Sequence, residues 1–185
     1  MGGVGLFGGA FDPPHNGHIA LVEGAQALGL DRFVILVSEA PEHKPVHAPA
    51  STRLQLAAAA FPGHEVELDP YGRTIDMLRA REWDDPVFLI GADQLAQFSS
   101  WKEPEAILEL ARLGVATRPG YPREPAERSD RVLFFDIPAV DVSSSEVRRR
   151  VAAGEAIDGL VPDAVSALIA ELCLYRWRFP SASPG

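Results

Sequence analysis

Three short runs in this chain are apolar from end to end: Val4-Gly5-Leu6-Phe7, Phe33-Val34-Ile35-Leu36-Val37 and Pro86-Val87-Phe88-Leu89-Ile90. A strand with one face in water alternates apolar and polar residues, so a strand apolar on both sides has to be covered on both. That requirement selects a parallel sheet with helices packed on its two faces. The intervening segments supply the helices. Apolar residues at helical spacing (Ile19, Val22, Ala25) mark a helix over 18–28, with Gly29 as its stop. Ser51 is suited to cap an Ala-rich helix over 52–61, and Pro104 to open one over 104–113. Further helices are predicted over 74–81, 144–153 and 162–174. Weaker strands are predicted over 64–68, 114–117 and 131–135.

Strands alternating with helices and joined by right-handed crossovers give an α/β fold, a doubly wound parallel sheet with helices on both faces. Ligands bind such sheets at the carboxyl ends of the strands, so chemistry is expected in loops 8–18, 38–44, 91–101 and 118–120. With 46% hydrophobic and 23% charged residues the chain is not intrinsically disordered, and 185 residues suffice for a core without disulfides or a structural metal. No internal repeat or linker divides it. One domain is expected over 1–179, with the Pro-Ser-Ala-Ser-Pro-Gly tail, 180–185, disordered.

The single cysteine, Cys173, excludes an intramolecular disulfide framework and a cysteine zinc cluster. With no membrane-length apolar stretch and no basic leader, a cytoplasmic location is expected. The net charge of −9 argues against nucleic acid as a partner. An anionic ligand therefore has to be held by a local cluster working against the field of the whole molecule.

Gly3-Val4-Gly5-Leu6-Phe7-Gly8 matches the dinucleotide-binding pattern G-x-G-x-x-G only in letters. That motif follows a strand and opens a helix, whereas this one lies inside the first strand. The informative segment comes next: Gly8-Gly9-Ala10-Phe11-Asp12-Pro13-Pro14-His15-Asn16-Gly17-His18. Paired glycines after a strand let a ligand approach the backbone and its N–H groups. His15 and His18 stand three apart as the chain enters a helix, so both can face one site with the positive helix end behind them. Two imidazoles, backbone amides and a helix start make a phosphate site, although a bare H-x-x-H also fits two unrelated loop histidines. Val142-Ser143-Ser144-Ser145-Glu146-Val147-Arg148 offers hydroxyls and amides at another helix start, and Arg148 can brace a phosphate through paired donors. The same run also reads as an ordinary N-cap with Glu146 in the first turn.

Together these segments resemble one family. Residues 8–18 are similar to the G-x-F-D-P-x-H-x-G-H signature of the nucleotidylyltransferase superfamily, where the histidines bind a triphosphate, and residues 142–148 to its I-S-S-T-x-I-R motif. Gly91-Ala92-Asp93-Gln94-Leu95, with Phe98 and Trp101, resembles the G-x-D-x-L…W pattern of bacterial nicotinate mononucleotide adenylyltransferases. Pro41-Glu42-His43-Lys44 resembles the family's P-P-H-K, Arg118-Pro119-Gly120 its R-P-G, and Thr74-Ile75-Asp76-Met77-Leu78 its S-Y-T-x-D-T-L. The resemblance runs from Gly8 to about Tyr175.

It implies a Rossmann-like nucleotidylyltransferase fold and transfer of the adenylyl group of ATP to nicotinate mononucleotide, giving deamido-NAD and pyrophosphate. ATP is then expected at Gly8, Gly9, Ala10, Phe11, His15, His18, Gly91, Asp93, Val142, Ser143, Ser144 and Arg148. The mononucleotide is expected at Lys44, Arg73, Thr74, Trp101, Lys102 and Arg118. His15, His18, Lys44 and Arg148 are the expected catalytic residues. Mg²⁺ is expected on the substrate phosphates, since the segments contain no carboxylate cluster. Asp12 is expected to stabilise its loop as an Asx residue ahead of Pro13 rather than to bind metal. Trp101 is expected to stack on the pyridine ring, because an indole face attracts a cationic ring.

Two departures stand out. Gly72-Arg73 replaces the family's Ser-Tyr in the loop that recognises the nicotinate carboxylate, which makes Arg73 and Lys102 candidates for a direct ion pair. Glu42 replaces a proline beside the phosphate loop. The competing readings are the same transfer to nicotinamide mononucleotide, phosphopantetheine adenylyl transfer, and a non-catalytic nucleotide binder or sensor on the same fold. The spacing of Trp101 from Asp93 argues against the second, and retention of His15, His18 and Arg148 against the third.

Overall fold

A computed structural model describes residues 2–41, 45–117 and 129–176. The three apolar runs form β1 (Val4–Gly9), β2 (Arg32–Ser38) and β4 (Val87–Gly91), and the weaker runs form β3 (Glu65–Asp69), β5 (Arg112–Thr117) and β6 (Val132–Asp136). All neighbouring pairs are parallel, in the order β3-β2-β1-β4-β5-β6. This is the doubly wound order, and the winding reverses between β1 and β4.

Side chains of one strand feed both faces. Phe33, Ile35 and Val37 of β2 enter one core, and Val34 and Leu36 enter the other. The first core is closed by α1 (Asn16–Ala25), α2 (Ala50–Ala60), α6 (Ser144–Ala153) and α7 (Asp163–Glu171), through residues such as Val22, Leu56, Val147 and Val165. The second is closed by α3 (Thr74–Ala80) and α5 (Pro104–Leu110), with α4 (Ala92–Leu95) at its border. Each of these fully buried aliphatic side chains contributes about 1.5–3 kcal/mol of hydrophobic stabilisation. Among the described residues no helix is long and apolar enough to cross a membrane.

The helix boundaries correct the sequence reading in three places. Ser51 does not cap α2: Pro49 does, and its carbonyl accepts from the Arg53 N–H at 3.0 Å, so the helix starts two residues earlier than the hydroxyl suggests. The helix opened by Pro104 stops at Leu110 rather than 113, because Arg112 and Leu113 pair with Val87 and Phe88 of β4. Leu113 suits a helix face and a buried strand equally, and sheet pairing decides. Helix α7 ends at Glu171, and the chain turns through Cys173 (φ 51°) and Tyr175 (φ 59°), both in the left-handed region. Short helices at 92–95 and 98–100 were not expected from the pattern. The decoy G-x-G-x-x-G lies along β1 as argued, and the 180–185 tail falls outside the described residues.

Candidate active site

The reversal of winding opens a crevice. β1 pairs with β2 along its whole length through Gly9↔Val37, but with β4 only at Gly5↔Val87 and Leu6↔Phe88. Beyond Leu6 and Phe88 the carboxyl ends of β1 and β4 part, and the histidine loop leaves from that gap. At Gly9 a Cβ would meet the Phe11 ring at 3.0–3.3 Å, tighter than ordinary contact. Phe11 itself sits at φ 49°, buried in an aromatic cluster with Phe7 and Phe61. The Asp12–Pro13 peptide is cis.

His15 is the N-cap of α1, and His18 lies in its first turn. Their rings stack with centroids 3.7 Å apart, and the His18 ring rests edge-on against Phe11 at 5.1 Å. The His15 N–H donates to His18 Nδ1 at 3.1 Å. An imidazole that accepts at Nδ1 carries its hydrogen on Nε2, so His18 has a donor of fixed tautomer for a phosphate oxygen. Gly17 between the two histidines has a steric reason: a Cβ would lie 3.0 Å from His15 Nδ1 and 3.5 Å from Val142 Cγ1.

That last contact shows that the structure brings the two motifs together. Arg148, one turn into α6, donates from Nη1 to the Asp12 carbonyl at 2.6 Å and from Nη2 to Ser145 Oγ at 3.3 Å. Ser144 Oγ donates to the Pro13 carbonyl at 2.8 Å. Ser143 is the N-cap of α6, its hydroxyl accepting from the Glu146 N–H at 3.2 Å. The capping reading of the serine run and its place at the site thus hold together. Glu146 is paired with Arg149 and Arg150, whose guanidinium donors hold its carboxyl at about 2, and Arg149 also pairs with Glu155. Asn16 ties the loop to 159–160 as well, its N–H donating to Leu160 O at 2.9 Å and its Nδ2 to Gly159 O at 2.8 Å.

Two residues matter in ways the sequence did not reveal. Asp12 is not an Asx-turn residue. Its carboxylate is buried and accepts from the His47 N–H at 2.6 Å, the Ala48 N–H at 3.2 Å and the Tyr175 hydroxyl at 2.8 Å, partners 35, 36 and 163 residues away. It ties its loop to distant segments, not through the local Asx turn expected. Arg53 of α2 is fully buried. It donates to the carbonyls of Ala10 (2.8 Å), Ser38 (2.7 Å), Glu39 (2.9 Å) and Ala48 (3.1 Å), joining the loops after β1 and β2. Burial lowers its pKa from the ordinary arginine value and the nearby Asp12 charge opposes that shift.

On the other side of the crevice, Gly91 ends β4 and caps α4, its N–H donating to Gln94 Oε1 at 3.1 Å. The Asp93 carboxylate folds over Gly91, with Oδ1 2.5 Å from where a Cβ would be. Arg73 is the exposed N-cap of α3, and Thr74 its first residue. Trp101 is partly exposed and leans on Phe98 (5.4 Å) and Phe88 (6.2 Å). Lys102 is engaged by Asp76 at 2.8 and 3.0 Å, and the adjacent Glu103 by Arg79 at 3.1 and 2.7 Å. The two ion pairs clip the Trp101 segment to α3. Lys44 and Arg118, expected at the phosphate and mononucleotide, lie outside the described residues, as does Glu42. Among the described residues no group of three or more His, Cys, Asp or Glu side chains is arranged to hold a metal ion.

Residues 6–150 match the cytidylyltransferase-like family model. The chain is 40% identical over 186 residues to the probable nicotinate-nucleotide adenylyltransferase of Thermus thermophilus, covering 94% of this chain and 99% of that one. It is 36% identical over 200 residues to the corresponding Rubrobacter xylanophilus protein, covering 94% and 92%. The fold is shared with the Plasmodium falciparum nicotinic acid mononucleotide adenylyltransferase complexed with NaAD, with TM-score 0.74 and 16% identity over 95% of this chain and 98% of that one. With the histidine loop at the β1–β4 crevice and its partner motif on α6 on the same side of the sheet, the chain belongs to the cytidylyltransferase-like family and, within it, to the nicotinate-nucleotide adenylyltransferases.

Proposed function

We propose that this chain transfers the adenylyl group of MgATP to nicotinate mononucleotide, forming deamido-NAD and pyrophosphate. The observation that carries the reading is the joint placement of His15, His18 and Arg148 at the mouth of the β1–β4 crevice. A 5′-phosphate oxygen of the mononucleotide forms a bond to the α-phosphorus of ATP. The bond from that phosphorus to the bridging oxygen of the β-phosphate breaks, and pyrophosphate leaves with the electron pair.

The nucleophile is already an anion near neutral pH, since a phosphate monoester has its second pKa at about 6. The chain therefore supplies no base and no covalent intermediate; it positions the reactants and stabilises charge. His18 Nε2–H, His15 and the backbone amides after Gly8 receive the phosphates of ATP, and Arg148 braces the α-phosphate side. Asp93, beside Gly91, meets the adenosine half, and Val142 and Ser143 also take part in holding ATP. Mg²⁺ enters with ATP as part of the substrate, held by phosphate oxygens and water, which suits a site with no carboxylate cage among the described residues. Lys44 is assigned to phosphate and Arg118 to the mononucleotide by their resemblance to the family's P-P-H-K and R-P-G motifs.

At the mononucleotide end Trp101 stacks on the pyridine ring. Arg73 and the first amides of α3, beginning at Thr74, face the nicotinate carboxylate. Lys102 is held by Asp76, so in this reading its part is to fix the Trp101 segment against α3. Incubation with MgATP and nicotinate mononucleotide should give deamido-NAD and pyrophosphate in equal amounts. Hydrolysis of ATP without a dinucleotide product would contradict the reading. Trp101→Ala should raise the KM for the mononucleotide about tenfold, in line with ~1–3 kcal/mol for stacking on an aromatic side chain, while changing the KM for ATP less than twofold. An equal rise in both would argue against stacking.

A further inference from the structure

The histidine loop is gripped by the C-terminal part of the chain. Arg148 and Ser144 hold the carbonyls of Asp12 and Pro13, and Gly159 and Leu160 hold Asn16. Two of these contacts reach side chains of the loop: Asn16 Nδ2 donates to the Gly159 carbonyl, and the Tyr175 hydroxyl donates to Asp12 Oδ1 at 2.8 Å, the one contact that meets a carboxylate. The same carboxylate receives the His47 and Ala48 N–H groups, so Tyr175 is joined through Asp12 both to the loop bearing His15 and His18 and to the segment leading into α2. Its approach is set by the turn after α7, in which Cys173 and Tyr175 both adopt left-handed backbone. That conformation is costly for residues other than glycine and persists where surroundings over-determine it. Burial raises the phenol's pKa, and the negative charge of Asp12 adds to the effect, so the group remains a donor.

We propose that Tyr175 is a positioning residue for adenylyl transfer: its hydroxyl sets the Asp12 carboxylate, and through it the placement of His15 and His18 relative to the α-phosphate. The inference rests on the proposed reaction. Tyr175 touches no reacting atom and its ring packs on the first core, so the role belongs to one oxygen. Removing that oxygen leaves the ring in place and Asp12 with the His47 and Ala48 N–H groups and the His47 imidazole, whose Nδ1 lies 3.4 Å from Oδ2.

The test is Tyr175→Phe compared with Leu168→Ala, a core trim on α7 away from Asp12. Y175F should lower kcat about tenfold, the scale of a sub-ångström misplacement of catalytic groups, with KM for both substrates within twofold. L168A should lower Tm yet keep kcat within twofold. In ¹⁵N-histidine spectra, Y175F should move the imidazole resonances of His15, His18 and His47 and leave those of His64, at the opposite end of the sheet, in place. Wild-type kcat in Y175F, or a kcat loss that L168A reproduces at equal loss of Tm, overturns the proposal. Should the wild-type chain release no pyrophosphate, the reaction is refuted. The positioning claim then stands if the His15 and His18 resonances move and falls if they do not.

Discussion

His18→Ala is expected to lower kcat by about 10²-fold or more, the loss seen when one preorganised donor to a developing oxyanion is removed, while the fold persists. The reasons lie in how the ring is held. Its Nδ1 accepts from the His15 N–H, which fixes the hydrogen on Nε2, and its face is fixed by the His15 stack and the edge of Phe11. A donor locked in one tautomer and one direction needs no reorganisation as charge builds on the departing pyrophosphate, and alanine supplies neither the donor nor a path for water to replace it in the same geometry. His18 is half-buried at the mouth of the crevice rather than inside a core, so circular dichroism and Tm should change little. Near-wild-type turnover in this variant would remove the mechanism.

The largest effect on stability is expected from Arg53→Met, at about 3–5 kcal/mol, since several buried carbonyls lose a charged donor at ~1–3 kcal/mol each. Methionine fills much of the volume, but four carbonyl oxygens, those of Ala10, Ser38, Glu39 and Ala48, lose their donors. The buried Asp12 carboxylate also loses a compensating charge nearby, leaving Tyr175, two backbone N–H groups and the His47 imidazole around it. Unmade bonds to buried acceptors are costly individually, and here they fall together. Chemical denaturation followed by tryptophan fluorescence measures the change. Arg53→Lys, which keeps a charge but cannot direct donors to four separate carbonyls, should fall between the two. A loss under about 1 kcal/mol for R53M would mean that the loops after β1 and β2 are held by something else.

The contrast between those two residues marks what was legible in the chain. His18 announced itself because phosphate chemistry needs its type at a fixed spacing after a strand and a glycine pair. Arg53 stands in an Ala-rich helix, where a lone arginine reads as a solvent-facing residue, and only the fold reveals that the loops after two strands close over it. The strands were readable because covering both faces forces apolar runs. Their order was not, since β1 and β4 are brought side by side by crossovers that leave no local pattern. Leu113 was misplaced because one leucine satisfies either period, and Ser51 because a hydroxyl advertises a cap that Pro49 already provides. Asp12 was read correctly as a loop residue and incorrectly as a local one, for its partners lie 35 to 163 residues away. Trp101 was singled out by a motif and Arg73 by a departure from one, but the ion pairs that clip the Trp101 segment to α3, Lys102–Asp76 and Arg79–Glu103, become visible only in three dimensions.

The most direct test of the central claim is pyrophosphate release from MgATP with nicotinate mononucleotide and nicotinamide mononucleotide run in parallel. The account predicts that kcat/KM for the acid exceeds that for the amide by at least tenfold, and that Arg73→Ala narrows the gap by raising the KM for the acid alone. Equal or reversed preference between the two mononucleotides would contradict it.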